Sequence, residues 1–215
     1  MESESASSNR RFKVKEKNKM KQELLKKIEE KSIVVGVVGL GYVGLPLAVE
    51  KAKAGFKTIG FDEKVKLVNE GHNYIGDVVD SDLKELVENK MLTATTDFSF
   101  VKDVDFVAIC VPTPLDAHQQ PDISYVKSST EAISKYLTKG TMVVLESTTY
   151  PGTTEELIKP ILEEGSGLKC GEDFYLGFSP ERVDPGNLIY KTKNTPKEVG
   201  AIGKDATEVI ATMYR

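Results

Sequence analysis

The apolar run from Ser32 to Ala48 breaks at Gly39-Leu-Gly41-Tyr42-Val43-Gly44 and then resumes with helical spacing. A β-strand that turns sharply into a helix satisfies that pattern, and few other structures do. Asp62 follows 18 residues after Gly44 and closes a second apolar run, Thr58–Phe61. Each glycine has its own physical reason to be there. Gly39 permits the tight turn, Gly41 leaves room for a pyrophosphate against the backbone, and Gly44 lets the helix lie close to the strand. The first helical turn offers unpaired N–H groups and a positive dipole end to phosphates, with Tyr42 and Val43 against the same ligand. Asp62 would accept hydrogen bonds from the adenosine ribose and repel a 2′-phosphate, which favours NAD over NADP. A glycine-rich turn in some other α/β protein would leave the position of Asp62 unexplained.

The 215 residues suit one large domain or one and a half small ones, and 40% hydrophobic content can fill its core. Charge is uneven. Residues 1–31 carry ten Lys/Arg against six Asp/Glu, whereas the remainder carries nineteen against twenty-seven. An acidic body argues against a nucleic-acid groove. The mixed charges of the leader read as a solvated arm. No apolar run reaches the roughly 18 residues of a membrane span, and no signal peptide opens the chain, so the expected compartment is the cytosol, with no membrane partner. Cys110 and Cys170 make no disulfide or metal framework. Cys110 ends an apolar strand pattern and reads as a buried, inert thiol. His72 and His118 fall in loops and read as exposed. No metal cluster, P-loop or Ser-His-Asp elbow is present.

The expected organisation is a leader over 1–20, disordered or helical, and an NAD-binding domain over 21–215. Residues 1–11 read as disordered, and the following Lys/Glu-rich stretch as helical, best over Lys21–Glu30. Strands are expected at Ile33–Val38, Lys57–Phe61, Leu92–Thr95, Asp105–Cys110, Thr141–Leu145 and Phe174–Phe178. Helices are expected at Tyr42–Ala54, Glu63–Glu70, from Ser81 as cap to Asn89, from Asp122 or Ser124 as cap to Leu137, over Thr153–Leu162, and from about Lys204. Continuously apolar strands alternating with helices predict an α/β fold: a Rossmann-type doubly wound parallel sheet, helices on both faces, in the order 3-2-1-4-5-6. Ligands bind such sheets at the C-terminal strand ends. Those ends carry Gly39–Gly44, Asp62, Val111–Pro114, Glu146–Pro151 and Ser179–Gly186.

Four segments in this order resemble the nucleotide-sugar dehydrogenases of the UDP-glucose/GDP-mannose type. They are Gly39-Leu-Gly-Tyr-Val-Gly-Leu-Pro46, Val111-Pro-Thr-Pro114, Glu146-Ser-Thr-Thr-Tyr-Pro-Gly152 and Ser179-Pro-Glu-Arg-Val-Asp-Pro-Gly-Asn187. The last resembles the branch that acts on UDP-N-acetylglucosamine. In the UDP-glucose branch a Glu usually stands where Pro185 stands here, with Asp184 beside it, which leaves open which carboxylate takes that role. The resemblance implies oxidation of a UDP-sugar C6 alcohol to a carboxylate with two NAD, in homo-oligomeric enzymes. It also implies that a lysine, an asparagine and a nucleophilic cysteine lie beyond Arg215, so that these residues alone would not complete the reaction. An NAD-binding module or sensor without the chemistry, and a UDP-glucose or UDP-N-acetylmannosamine enzyme, are the alternative readings.

Residue roles follow from the same resemblance. Thr148 would hold a catalytic water near the nicotinamide, although Ser147, Thr148 and Thr149 also suit a tight turn that satisfies backbone groups. Glu181 would orient water or accept a proton beside the sugar, or stand as a surface residue in a Pro/Gly loop. Arg182 either faces the substrate's acetamido group or phosphates, or pairs with Asp184. Pro112 and Thr113 would lie against the nicotinamide ribose. Lys64 would reach the adenosine ribose or phosphate, or remain an exposed helix lysine.

Overall fold

The computed structural model describes residues 2–182, 189 and 192–215. Seven strands form one sheet in the order β3-β2-β1-β4-β5-β6-β7. The first six are parallel: β1 Val34–Val38, β2 Lys57–Phe61, β3 Leu92–Thr95, β4 Phe106–Ile109, β5 Met142–Leu145 and β6 Tyr175–Phe178. The expected doubly wound order is therefore observed. One edge strand was not legible: β7, Gly200–Ala201, pairs antiparallel with Gly177 and Phe178. Two residues carry no alternation to read, and the pairing depends on Gly177, where a Cβ would meet the Gly200 carbonyl at 2.8 Å.

Side-chain alternation divides the apolar residues into two layers. Val35, Val37, Phe106, Ala108, Met142 and Val144 face one layer, which holds α2 (Gly44–Lys53) and α7 (Lys204–Met213). Val107, Ile109, Val143, Leu145 and Leu176 face the other, with α5 (Ser124–Ser134) and α6 (Lys159–Ser166). Each such side chain contributes roughly 1.5–3 kcal/mol when fully buried.

The leader departs from expectation. A single helix, α1, runs from Glu2 to Glu29, including residues 1–11 read as disordered. Leu24 and Ile28 bury in the first layer, with Met20 and Leu25 packed against it. That anchored end supplies the costly nucleus, and propagation outward then adds one bond per residue. Lys21 bridges to Asp205 and Glu208 of α7 at 3.0 and 2.7 Å. Such exposed pairs are worth about 0–1 kcal/mol, so the apolar contacts hold α1 in place.

Smaller differences have local causes. α2 starts at Gly44 rather than Tyr42. α3 is Val65–Asn69. α4, Asp80–Glu88, has no side-chain cap from Ser81; Asn73 instead organises the approach, donating to Val78 O at 2.7 Å and Asp80 at 2.9 Å. Asp122, of the two candidate caps on α5, accepts from the Ser124 N–H at 2.9 Å. The helix expected over Thr153–Leu162 divides into a wider π-type stretch, Thr153–Ile158, and then α6. Pro160 has no N–H, so the ordinary bond to the carbonyl four residues earlier cannot form there.

Candidate cofactor site

The glycine turn is built by contacts that exclude side chains. Gly39 sits at φ 86°, and a Cβ on it would meet the Cys110 carbonyl at 2.9 Å. A Cβ on Gly44 would fall 1.8 Å from the Gly39 carbonyl oxygen. Gly41 is different: a Cβ there meets nothing within 4 Å. The turn thus needs Gly39 and Gly44 for its own packing, while Gly41 opens onto space beside the start of α2. An open cradle of backbone at a helix N-terminus fits a dinucleotide pyrophosphate. Tyr42 is exposed and Val43 half-buried, at the rim of this turn.

Asp62 closes β2 next to the turn. Its Oδ2 accepts from the Leu40 N–H at 2.7 Å and its Oδ1 from the Lys64 N–H at 2.8 Å. The carboxylate therefore braces the glycine loop, and each oxygen retains a lone pair for a ribose hydroxyl. Tyr74 holds the same peptide from the other side, its hydroxyl donating to Leu40 O at 2.8 Å. Burial, with Asp62 nearby, pushes the Tyr74 hydroxyl up to about 12. The Lys64 ammonium lies 4.4 Å over the Tyr74 ring. Lys64 is exposed.

Farther along the edge stand the ends of β4, β5 and β6. Pro112 is exposed, and the half-buried Thr113 donates its hydroxyl to Thr148 O at 2.6 Å. Ser147 does what a turn hydroxyl is expected to do, donating to Val111 O at 2.7 Å, whereas Thr148 is exposed. Leu145 and Phe178 are register partners, so Thr148 and Glu181 each stand three residues beyond paired positions on adjacent strands. Glu181 and Arg182 line a small cavity with Val43, Leu47, Glu146 and Lys197. Arg182 bonds Glu198 at 2.9 Å on the surface. Asp184 and Pro185 lie outside the described residues.

Sequence reading missed the buried groups beneath this edge. Glu146 accepts from the Tyr214 hydroxyl and the Lys197 ammonium. Lys51, buried in α2, donates to the Met213 carbonyl and lies 4.7 Å over the Tyr214 ring. Burial lowers the Lys51 ammonium to about 8. Parity was the available signal: Met142, Val144 and Glu146 share one face of β5, so a carboxylate follows two core positions inward. Cys110 is buried as expected, and burial raises its thiol well above the ordinary range, with Glu146 adding to the effect. His72 and His118 are exposed. Among the described residues no cluster of three potential metal ligands occurs, and no helix is long and apolar enough to cross a membrane.

The doubly wound sheet, the glycine turn and the acidic end of β2 define a dinucleotide-binding domain of the Rossmann class. Residues 33–215 match the NAD binding domain of the UDP-glucose/GDP-mannose dehydrogenase family, and the chain belongs to that family. NAD is accordingly its cofactor. The UDP-N-acetyl-D-glucosamine 6-dehydrogenase of Pseudomonas aeruginosa is 40% identical over 86% of this chain and 44% of its own length. The UDP-N-acetyl-D-mannosamine dehydrogenase of Pyrococcus horikoshii is 34% identical over 84% of this chain and 44% of its own. The NDP-N-acetyl-D-galactosaminuronic acid dehydrogenase structure from Methanosarcina mazei superposes with a TM-score of 0.80, at 35% identity, covering 89% of this chain and 44% of that one. The chain thus spans under half the length of these relatives.

Proposed function

We propose that the chain is the cofactor-binding portion of an NAD-dependent dehydrogenase that oxidises the C6 alcohol of UDP-N-acetylglucosamine to a carboxylate, using two NAD. The observation that carries this reading is the pairing of β5 with β6 up to Leu145 and Phe178, after which the segments holding Thr148 and Ser179-Pro-Glu181-Arg182 leave adjacent strand ends. The Pseudomonas aeruginosa relative is named for UDP-N-acetyl-D-glucosamine and supports this substrate, while the Pyrococcus horikoshii relative, named for UDP-N-acetyl-D-mannosamine, supports only the wider class of N-acetylated UDP-sugars.

In this reading Gly39, Gly41, Gly44, Tyr42 and Val43 seat the pyrophosphate, and Asp62 with Lys64 the adenosine ribose. Pro112, Thr113 and Thr148 meet the nicotinamide ribose. NAD supplies the hydride acceptor when bound. Thr148 holds water at the strand end, Glu181 orients it or takes a proton, and Arg182 reads the substrate once it leaves Glu198. The whole enzyme acts in the cytoplasm as a homo-oligomer and supplies a uronic acid for polysaccharide assembly. Residues past Arg215 complete it, including the thiolate needed to trap an aldehyde.

The test has two parts. The gene read past codon 215 should continue in frame into a Gly-rich cysteine motif. The protein so extended should release two NADH per UDP-N-acetylglucosamine, faster than from UDP-glucose or UDP-N-acetylmannosamine. Preference for UDP-glucose overturns the substrate assignment, and sustained turnover by residues 1–215 alone overturns the division of labour.

A further inference from the structure

Glu146 is 1% exposed, the one carboxylate among the described residues to be so fully buried. It extends β5 on the face toward α2 and α7. A carboxylate there costs several kcal/mol unless its oxygens are met by donors. Both are met, each from a distant segment. Tyr214, just past α7, donates to Oε1, and Lys197, in the stretch before β7, donates to Oε2. The Lys197 side chain is 19% exposed, and its ammonium lies 5.0 Å over the Tyr214 ring. Three remote pieces of chain converge on one strand end.

That strand end leads directly into the turn between Glu146 and Gly152. Ser147 holds Val111 O, and Thr148 O holds the Thr113 hydroxyl, so the residue fixed by the cluster is continuous with both loops at the ends of β4 and β5. A dinucleotide lying from Asp62 across the glycine turn extends to these two loops with its nicotinamide half. On its other side the cluster meets the cavity shared by Val43, Glu181 and Arg182. An ion pair buried with one tyrosine is a poor way to gain stability, because apolar residues of similar volume do as well or better. What it supplies is a fixed direction for the groups that make it.

We propose that Glu146, Lys197 and Tyr214 form a positioning cluster for the nicotinamide side of the cofactor site, locking the Ser147–Thr148 turn against α2 and the 192–198 stretch. None of the three touches the reacting atoms. The proposal rests on the NAD reading, and the choice of probes separates the two. ADP-ribose carries the adenosine and both phosphates of NAD but no nicotinamide, so it reports the fold and the glycine turn alone.

The experiment is calorimetric titration of the chain with NAD and with ADP-ribose. Lys197→Met should weaken NAD binding about tenfold, the loss of one charge-assisted contact, while ADP-ribose changes less than about twofold. Tyr214→Phe removes one hydroxyl and should show the same selectivity at about threefold, whether or not Lys197→Met folds. Lys197→Arg should restore most of the NAD affinity. Equal losses for both probes would make the cluster a structural element only, and unchanged NAD affinity in Tyr214→Phe and Lys197→Met would remove it from the site. Failure of the unmutated chain to bind ADP-ribose would refute the cofactor seat itself, and the positioning role with it.

Discussion

The two halves of the sheet edge are built differently. The half around the glycine turn, proposed for the adenosine side of NAD, is local. Gly39, Gly44, Leu40 and Asp62 lie within one β-α-β unit and brace one another through backbone packing and the Asp62 carboxylate. The half proposed for the nicotinamide side is assembled from afar: Thr113, Glu146, Lys197 and Tyr214 come from four segments spread over a hundred residues. A local seat tolerates little inside its turn and leans on the rest of the molecule mainly through the Cys110 carbonyl beside Gly39 and the Tyr74 hydroxyl on Leu40 O. A remote one stands only while the tertiary packing beneath it holds.

The sharpest way to break this contrast is a pair of single-methyl substitutions. Gly44→Ala should collapse the turn, since its Cβ would stand 1.8 Å from the Gly39 oxygen. A loss on the order of 3 kcal/mol or more, read by thermal unfolding, is expected because backbone rather than a flexible side chain must move. Gly41→Ala should leave the unfolding curve unchanged, with nothing within 4 Å of the new carbon, yet abolish NAD binding by filling the phosphate cradle. Full NAD affinity in Gly41→Ala would mean that the loop does not hold the cofactor.

A smaller effect is expected at Asp62. Asp62→Ala should weaken NAD by roughly ten- to a hundredfold and narrow the gap between NAD and NADP. Part of that loss would come through the Leu40 N–H that the carboxylate now holds. Equal affinity for NAD and NADP in the unmutated chain would rule out Asp62 as the selector.

Beneath the nicotinamide half, stability rather than binding is the quantity to measure. Lys51 is 8% exposed and donates to the Met213 carbonyl, and the cost of its burial outweighs the attraction of the Glu146 carboxylate. Lys51→Met keeps the length and removes the buried charge, so it should stabilise the chain by about 1–3 kcal/mol. The pH dependence has a definite sign. Below about pH 8 the lysine is charged in both states and the burial cost applies in full. From about 8 toward 10.5 the folded protein has released a proton that the unfolded chain still holds, so stability rises with pH across that window. Denaturant midpoints for parent and variant should therefore converge between about pH 8 and about pH 9.5. A gap that widens instead would show that the ammonium is a net stabiliser.

The mildest prediction concerns thiols. Burial raises the thiols of both Cys170, to about 11, and Cys110, and Cys110 is the more deeply buried of the two. At neutral pH both should react slowly with a disulfide reagent, Cys170 before Cys110. Rapid labelling of Cys110 would reveal that the strand ends open far more readily than the packed turn implies.

Periodicity and punctuation carried most of the fold. Apolar runs at β1, β2, β4 and β5 and the glycines that stop α2 and α3 are local signals, and the strand order followed from them. The leader misled because composition speaks for isolated segments, while the anchor at Leu24 and Ile28 lets a charged helix propagate to Glu2. β7 was invisible because its two residues pair only where Gly177 admits a backbone.

What the sequence determined by itself was the glycine turn, the acid at the end of β2 and the parallel sheet that presents them, since each depends on neighbours within a few tens of residues. What only the tertiary structure decided was the use of Glu146, Lys197, Tyr214 and Lys51. A charge in a sequence reads as exposed by default, and apart from the parity of Glu146 with Met142 and Val144 nothing local says that it will be buried. Whether it is depends on the donors that distant segments bring to it, because an ion leaves water only when the fold supplies partners in place of the water it gives up.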